Sequence, residues 1–320
     1  MAGRSKSLTI DQEERLLVRI AWACEIEGNT QAEVAKRFGI TRLRVNKALG
    51  QARRRGIVRI SINSDYAPCA ELERDLTGKF GLARAEIVPR PMNPADTQTM
   101  VGMALGNYLS GILTGPDVKL FGMAWGNTLN LATRFMAPVN RPDLEIVSVM
   151  GGLTKGSDLN SYEITRRLAD ICNADLSYFT VPIYASSAQS RDILIAQDVF
   201  LEIIEKIRST DAIALAAGDI SDASLLMRDG LPTEYSPDEL IAKGAVGDIL
   251  GYMLDEAGAL VDHPINNRVI GISLEDLGAI PNVILAAGGS YKVAIMRAIL
   301  ARGVIDTLVT DEATAVALLT

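Results

Sequence analysis

Two groups of residues in this chain have types and spacings that can do chemistry. The first is basic. From Arg42 to Arg59 there are seven Lys or Arg and no Asp or Glu, a density suited to neutralising phosphates along a nucleic-acid backbone. Stepping 100° per residue away from Val45 puts Leu43, Lys47, Gly50 and Arg54 opposite an apolar face, with Asn46 and Gln51 flanking and Arg42 on the exposed first turn. Arg42 and Lys47 can donate to guanine, Asn46 can pair with adenine, and Leu43 can cover a thymine methyl, with Arg44 beside them. Gln31, Thr41, Arg53 and Arg54 are placed to meet phosphates. A merely solvated basic helix is the plain alternative, and double-stranded DNA is the partner that separates the two readings.

The second group is a set of glycine-bearing loops. GMAWGNT at 122–128 offers Gly126 for close backbone approach and Asn127 and Thr128 for hydrogen bonds at a helix start, where an anion or polar oxygen is favoured. It lacks the lysine of a Walker loop and the dinucleotide glycine fingerprint. Gly151 and Gly152, with Thr154 and Lys155, form a second such loop, and Gly288, Gly289 and Lys292 another. A lysine on a helix first turn opposes the helix dipole, and an anionic or strongly polar ligand would remove that conflict. Ordinary strand-to-helix turns and a solvent-pointing lysine are the competing explanations.

The elements that must position these residues can be read from periodicity. Thr30 and Glu33 form a capping box ahead of Val34, Ala35 and Phe38; Gly39 stops that helix; Thr41 caps a second whose apolar positions are Val45, Ala48, Leu49 and Ala52. A supporting helix is expected over 11–27 with Leu16, Leu17, Ile20, Ala21, Cys24 and Trp22 as its stripe. After Ile57, the alternation IVRISIN suggests a strand or wing, and a helix around 70–80 a connector. From about Ala83, short apolar runs alternate with glycine turns and helical periodicity. Strands are expected at 118–121, 145–150, 212–216, 283–287 and 307–310, so the loops converge beyond the C-terminal strand ends of an α/β sheet.

Charge divides the chain in the same place. Residues 1–60 hold thirteen Lys/Arg against six Asp/Glu, net +7, and the remainder nineteen against thirty-three, net −14. The two parts should therefore meet different partners, the first of them polyanionic. The expected class is α/β with a three-helix helix-turn-helix domain at 1–63 for DNA and an effector-binding and oligomerisation domain at 64–320. One small helix-turn-helix reads few base pairs, so a homo-oligomer on symmetric half-sites is expected. Cys24, Cys69 and Cys172 are too far apart in sequence for a zinc spacing, and a lone His263, expected at the surface, makes no metal cluster. No metal, cofactor or catalytic residue is expected. With no apolar run of spanning length, a cytoplasmic protein that does not enter the membrane is expected. Asp222, Asp255, Glu256 and Asp311 show no acid–base spacing.

These motifs resemble the SorC family of bacterial transcriptional regulators, also called DeoR-type sugar-binding regulators. The resemblance spans 15–319 and rests on TQAEVAKRFGITRLRVNKAL, GIVRI, GMAWGNTL, MGGL, GYMLDEAG with ALVD, and above all AAGGSYKVAIMRAILARGVIDTLVTDEATAVALL. It implies a Rossmann-like C-terminal domain related to sugar-phosphate isomerases and deaminases, a sugar, polyol or sugar-phosphate effector, and tetramers on operator DNA. By position it implies effector contacts at Gly126, Asn127, Thr128, Gly151, Gly152, Gly218, Asp219, Gly288, Gly289 and Lys292. Ala124 stands where the family usually has a small hydroxyl residue, which leaves room for an unphosphorylated effector. The implied activity is carbohydrate-operon regulation, most simply repression. A sugar-phosphate isomerase or deaminase is the rival, but AAGDISDAS carries no histidine where the deaminases resemble one another in a GIG…GH segment. A DNA-binding architectural protein with a vestigial sugar domain is the third possibility, separated by whether any metabolite changes operator affinity.

Overall fold

In a computed structural model, residues 10–58, 64, 66–153 and 159–320 are described. They fall into two compact units, one within Met1–Ser64 and one within Asp65–Thr320.

The first unit is three helices, α1 (Ile10–Glu25), α2 (Gln31–Phe38) and α3 (Arg42–Arg54). Local chemistry sets their ends. The Thr30 hydroxyl accepts from the Glu33 N–H at 3.3 Å and the Glu33 carboxylate accepts from the Thr30 N–H at 2.8 Å, so two otherwise orphaned donors are satisfied. Gly39, in the left-handed region at φ 65°, ends α2. Thr41 caps α3 by accepting from the Arg44 N–H at 3.2 Å. Leu17, Ile20, Val34, Val45, Leu49 and Ala52 close the core. Trp22 is not among them: it is 57% exposed, while Ala23 is buried in its stead. The apolar stripe is therefore narrower than the sequence suggests and runs through the small residues that let α1 approach α3. Ile57 and Val58 pack on this core; the rest of the expected strand or wing lies outside the described residues.

The second unit begins with α4 (Ala67–Phe80), β1 (Arg84–Val88), α5 (Thr97–Thr114), β2 (Leu120–Met123), α6 (Asn127–Phe135), β3 (Glu145–Ser148), α7 (Ser161–Cys172) and β4 (Asp175–Ser177). It continues with α8 (Ala188–Ile195), α9 (Asp198–Arg208), β5 (Ala212–Leu215), β6 (Ala217–Asp219), α10 (Pro237–Ala242), β7 (Gly247–Ile249) and β8 (Tyr252–Leu254). It ends with α11 (Leu274–Leu277), β9 (Val283–Ala286), α12 (Val293–Ala301), β10 (Thr307–Asp311) and α13 (Glu312–Leu319). Seven strands form a parallel sheet in the order β1-β10-β9-β5-β2-β3-β4, and β6-β7-β8 form a small antiparallel sheet. The central strands are buried on both faces and correspondingly read as unbroken apolar runs. The expected connector at 70–80 is instead α4, packed on β1 and α13 with Leu76 fully buried.

From β2 the chain proceeds outward to β3 and β4, then returns to the other side of β2 as β5. Strand order thus reverses between β2 and β5, where diverging connections open a crevice at the C-terminal strand ends. His263, expected at the surface, is only 4% exposed. Its Nδ1 accepts from the Ile265 N–H at 3.2 Å, its ring meets Tyr235 edge-on at 4.7 Å, and Nε2 lies 3.3 Å from the Glu239 carboxylate. Both ring nitrogens have partners, so the residue is a buried cap for the 3-10 turn that follows it.

Candidate functional sites

At the β2/β5 crevice lies a cavity of about 500 Å³, a volume suited to a small metabolite. Its walls come from three strand ends. The β2 loop contributes Gly126, Asn127 and Thr128; the segment after β5 contributes Gly218 and Asp219; the turn after β9 contributes Tyr291 and Lys292. Gly126 has φ 119°, a conformation L side chains rarely adopt, and it starts α6 without a side-chain cap. The Asn127 amide donates to Gln98 Oε1 at 2.7 Å, and Gln98 Nε2 donates to the Thr128 hydroxyl at 3.4 Å. Gln98, on α5, thereby orients both residues from a segment that the loop sequence gives no reason to suspect.

Lys292 is the most unusual group here. It is 7% exposed, its Nζ stands 5.8 Å from the centroid of the Tyr291 ring, and no hydrogen bond to a protein acceptor is present among the described residues. Burial pulls its ammonium below the usual lysine range, while the charges of Asp219 and Asp248 act in the opposite direction. Asp219 closes β6, its Oδ2 accepting from the Ser221 N–H at 3.1 Å and from the Ser221 hydroxyl.

Asp248 comes from β7, outside every loop singled out from sequence. Antiparallel pairing sets Asp248 opposite Gly218, and a Cβ on Gly218 would stand 2.0 Å from Asp248 Oδ1. Only glycine leaves room for the carboxylate. Asp248 Oδ2 accepts from the Gly251 N–H at 3.0 Å, whereas Oδ1 is buried with no hydrogen-bond partner. Burial pushes this carboxyl up to about 6; the Gly251 N–H and Lys292 oppose the rise and Asp219 adds to it. An acidic residue inside the apolar run AVGDIL was the available signal, since a charge in such a run is seldom buried without a reason. Its role becomes visible only once β6 and β7 are paired.

The remaining loop glycines sit elsewhere. Gly151 and Gly152 do not line the cavity: Cβ atoms there would meet Pro182 O at 2.2 Å and Asn160 Oδ1 at 2.4 Å, so they permit close packing of the β3 loop. β3 adjoins β2 as β9 adjoins β5, so it is this close packing and not strand order that keeps the β3 loop glycines out of the crevice. Lys155 lies outside the described residues. Gly288 and Gly289 also stand back from the lining; the Gly289 N–H donates to Asp311 Oδ2 at 2.9 Å and to Thr314 Oγ1 at 2.8 Å. Their turn carries Tyr291 and Lys292 to the cavity.

On the helical unit, Arg42, Leu43, Arg44, Asn46 and Lys47 are exposed, as are Thr41, Arg53 and Arg54, while Gln31 is half-buried. Leu43 is 64% exposed, a large apolar side chain without a protein partner face. Arg53 forms an ion pair with Glu25 at 3.0 Å. Both partners are partly in water, so the pair is worth at most about 1 kcal/mol and can exchange for a phosphate. The Arg54 guanidinium lies over Gly50. Among the described residues no group of three or more His, Cys, Asp or Glu is arranged for a metal ion, and no helix is long and apolar enough to cross a membrane.

Residues 64–320 match the family model described as "Putative sugar-binding domain". The chain belongs to the SorC family of sugar-binding transcriptional regulators. Within this family it is similar to the erythritol catabolism regulatory protein EryD of Brucella abortus, 28% identical over 97% of this chain and 98% of the relative. It is also similar to the transcriptional regulator LsrR of Escherichia coli, 31% identical over 96% of this chain and 95% of the relative. The full-length sorbitol operon regulator SorC from Klebsiella pneumoniae shares the fold with a TM-score of 0.71 and 25% identity, covering 96% of this chain and 99% of that one. This SorC-family chain is thus an effector-responsive transcriptional regulator, and its relatives are regulators rather than isomerases or deaminases.

Proposed function

We propose that this regulator is a repressor of a carbohydrate uptake or catabolism operon, with 1–63 as the DNA-binding domain and 64–320 as the effector-binding and assembly domain. The α3 face carrying Arg42, Leu43, Arg44, Asn46 and Lys47 reads base edges in the major groove, while Gln31, Thr41, Arg53 and Arg54 meet phosphates. The effector, a sugar, polyol or sugar phosphate, occupies the β2/β5 cavity against Asn127, Thr128, Asp219, Asp248 and Lys292. The carrying observation is Lys292, a cavity-lining residue only 7% exposed whose ammonium has no protein hydrogen-bond acceptor among the described residues. A buried charge left in that state costs free energy that a polar ligand recovers. The names of the erythritol and sorbitol regulators among its relatives support a carbohydrate operon.

Assembly as a homotetramer on paired half-sites completes the reading. To test it, double-stranded DNA selected by the full-length protein from a random-sequence pool is titrated by fluorescence anisotropy, with and without a panel of sugars, polyols and their phosphates. A specific site whose affinity changes with one member of the panel is expected. Sequence-indifferent binding unaffected by every compound would contradict the reading.

A further inference from the structure

The exposed face of α3 holds one side chain that its positive charge does not explain. Leu43, on the first turn, is 64% exposed and is the one large apolar side chain that α3 exposes among the described residues. A single exposed leucine is ordinary on a protein surface; the setting of this one is not. The side chains of Arg42, Arg44, Asn46 and Lys47 around it make no hydrogen bond or ion pair with a described residue. Elsewhere in the unit three cations are committed: Arg37 pairs with Glu27, Arg53 with Glu25 at 3.0 Å and Arg55 with Glu13 at 3.9 Å. The exposed first two turns of α3 are thus left with cations, one amide and a leucine, and no acid.

Helical geometry sets what Leu43 can reach. Residues three and four apart share a face, so Leu43 lies beside Asn46 and Lys47 with Cβ atoms about 5–6 Å apart. The N-terminal residues of a recognition helix are those that meet base edges. In the major groove the base pairs differ in donors and acceptors, and thymine adds an apolar group, its 5-methyl. A side chain with neither donor nor acceptor discriminates there through that methyl. A phosphate offers it nothing, and a partner protein seated on it would have to desolvate the cations that surround it.

We infer that Leu43 is a specificity-determining residue, seated on the 5-methyl group of an operator thymine. The inference rests on the proposed DNA-binding reading of α3 and adds to it an apolar readout that charge and hydrogen bonding do not supply. With base steps of about 3.4 Å, the separation of Leu43 from Asn46 places this thymine within about two base pairs of the base that Asn46 reads.

The test uses the full-length protein, its selected DNA site and fluorescence anisotropy, each thymine being replaced in turn by uracil, which keeps the base pair and removes only the methyl. At one thymine of the site, wild-type affinity falls about fourfold, the factor for one buried methyl-sized group. Leu43 takes no part in the core of its unit, so Leu43→Ala keeps the fold. It binds the thymine site more weakly than the parent does and no longer distinguishes it from the uracil site, whereas Leu43→Met keeps the preference. Asn46→Ala relaxes base preference within about two positions of the sensitive thymine. Wild-type binding indifferent to every uracil, or a uracil penalty undiminished in Leu43→Ala, overturns the inference and leaves the DNA-binding reading standing. Failure of the parent protein to select any specific site overturns both.

Discussion

Single residues carry two kinds of unfinished interaction, one on the exposed face of α3 and one facing the cavity. On α3, Arg42 has no role in the packing of its own unit, so Arg42→Ala should leave the fold intact. It should weaken specific DNA binding by about 1–3 kcal/mol and relax preference at one operator position. Anisotropy with the selected site and single-base variants checks this, and unchanged affinity and preference would reassign the reading face. In the cavity, Asp248 binds its proton more tightly in the folded protein than in the unfolded chain, its carboxyl being raised from 3.8 to about 6. Its contribution to stability is therefore full below about pH 4 and lost as pH rises through about 6. Asp248→Asn removes that loss. Urea unfolding should show the variant more stable than the parent by about 1–3 kcal/mol at pH 8, with no gain near pH 4. The same difference at both pH values would show that titration of this carboxyl is not its source. Lys292 was legible from sequence because it stands on a helix start behind two glycines, whereas Asp248 was not, because its partner Gly218 lies across a sheet that only folding assembles.

At the scale of elements, local signals are legible in the sequence and long-range pairings are not. The capping box at Thr30, the Gly39 stop and the Thr41 cap lie within a few residues of the helices they bound, and their bonds are short-range. Thr30→Ala should cost the helical unit about 1 kcal/mol, measurable by chemical denaturation. The strand ends were placed within about two residues, since buried parallel strands read as apolar runs. Which loops share a crevice was a different matter. Glycine pairs after β3 and β9 look alike in sequence and the two strands flank β5 and β2 symmetrically, yet only the β9 turn lines the cavity, while Gly151 and Gly152 pack against Pro182 and Asn160. Trp22 and His263 were misjudged for a related reason: exposure of a single amphipathic side chain depends on which neighbour covers it. Gly218→Ala tests the pairing that builds the site. The added Cβ meets Asp248 Oδ1 at 2.0 Å, so β6 and β7 must separate or the carboxylate must swing away. A loss of about 1–3 kcal/mol in stability and of effector binding is expected, with effector-free DNA binding preserved. Normal effector affinity in a folded Gly218→Ala protein would detach Asp248 from the site.

The whole molecule divides its charge between two tasks, net +7 over residues 1–60 and net −14 over the rest. Salt should therefore weaken operator binding steeply through the first part, while the second part is spared competition for the same polyanion. On the proposed function one α3 would read too few base pairs for operator affinity alone, so sedimentation velocity should find an oligomer, expected to be a tetramer, both free and on DNA. A monomer under both conditions would remove the symmetric half-site account. On the proposed function a ligand in the β2/β5 cavity controls the DNA affinity of α3, and Lys292→Ala tests this most directly. Wild-type and variant proteins, each bound to the same labelled operator, are titrated with the effector found by the binding screen while anisotropy is recorded. With a charge-assisted contact worth about 1.5–3 kcal/mol, the variant should need on the order of tenfold or more effector for the same release. Effector-free operator affinity should match the parent. Superimposable release curves, or an operator affinity already lost without effector, would contradict the account.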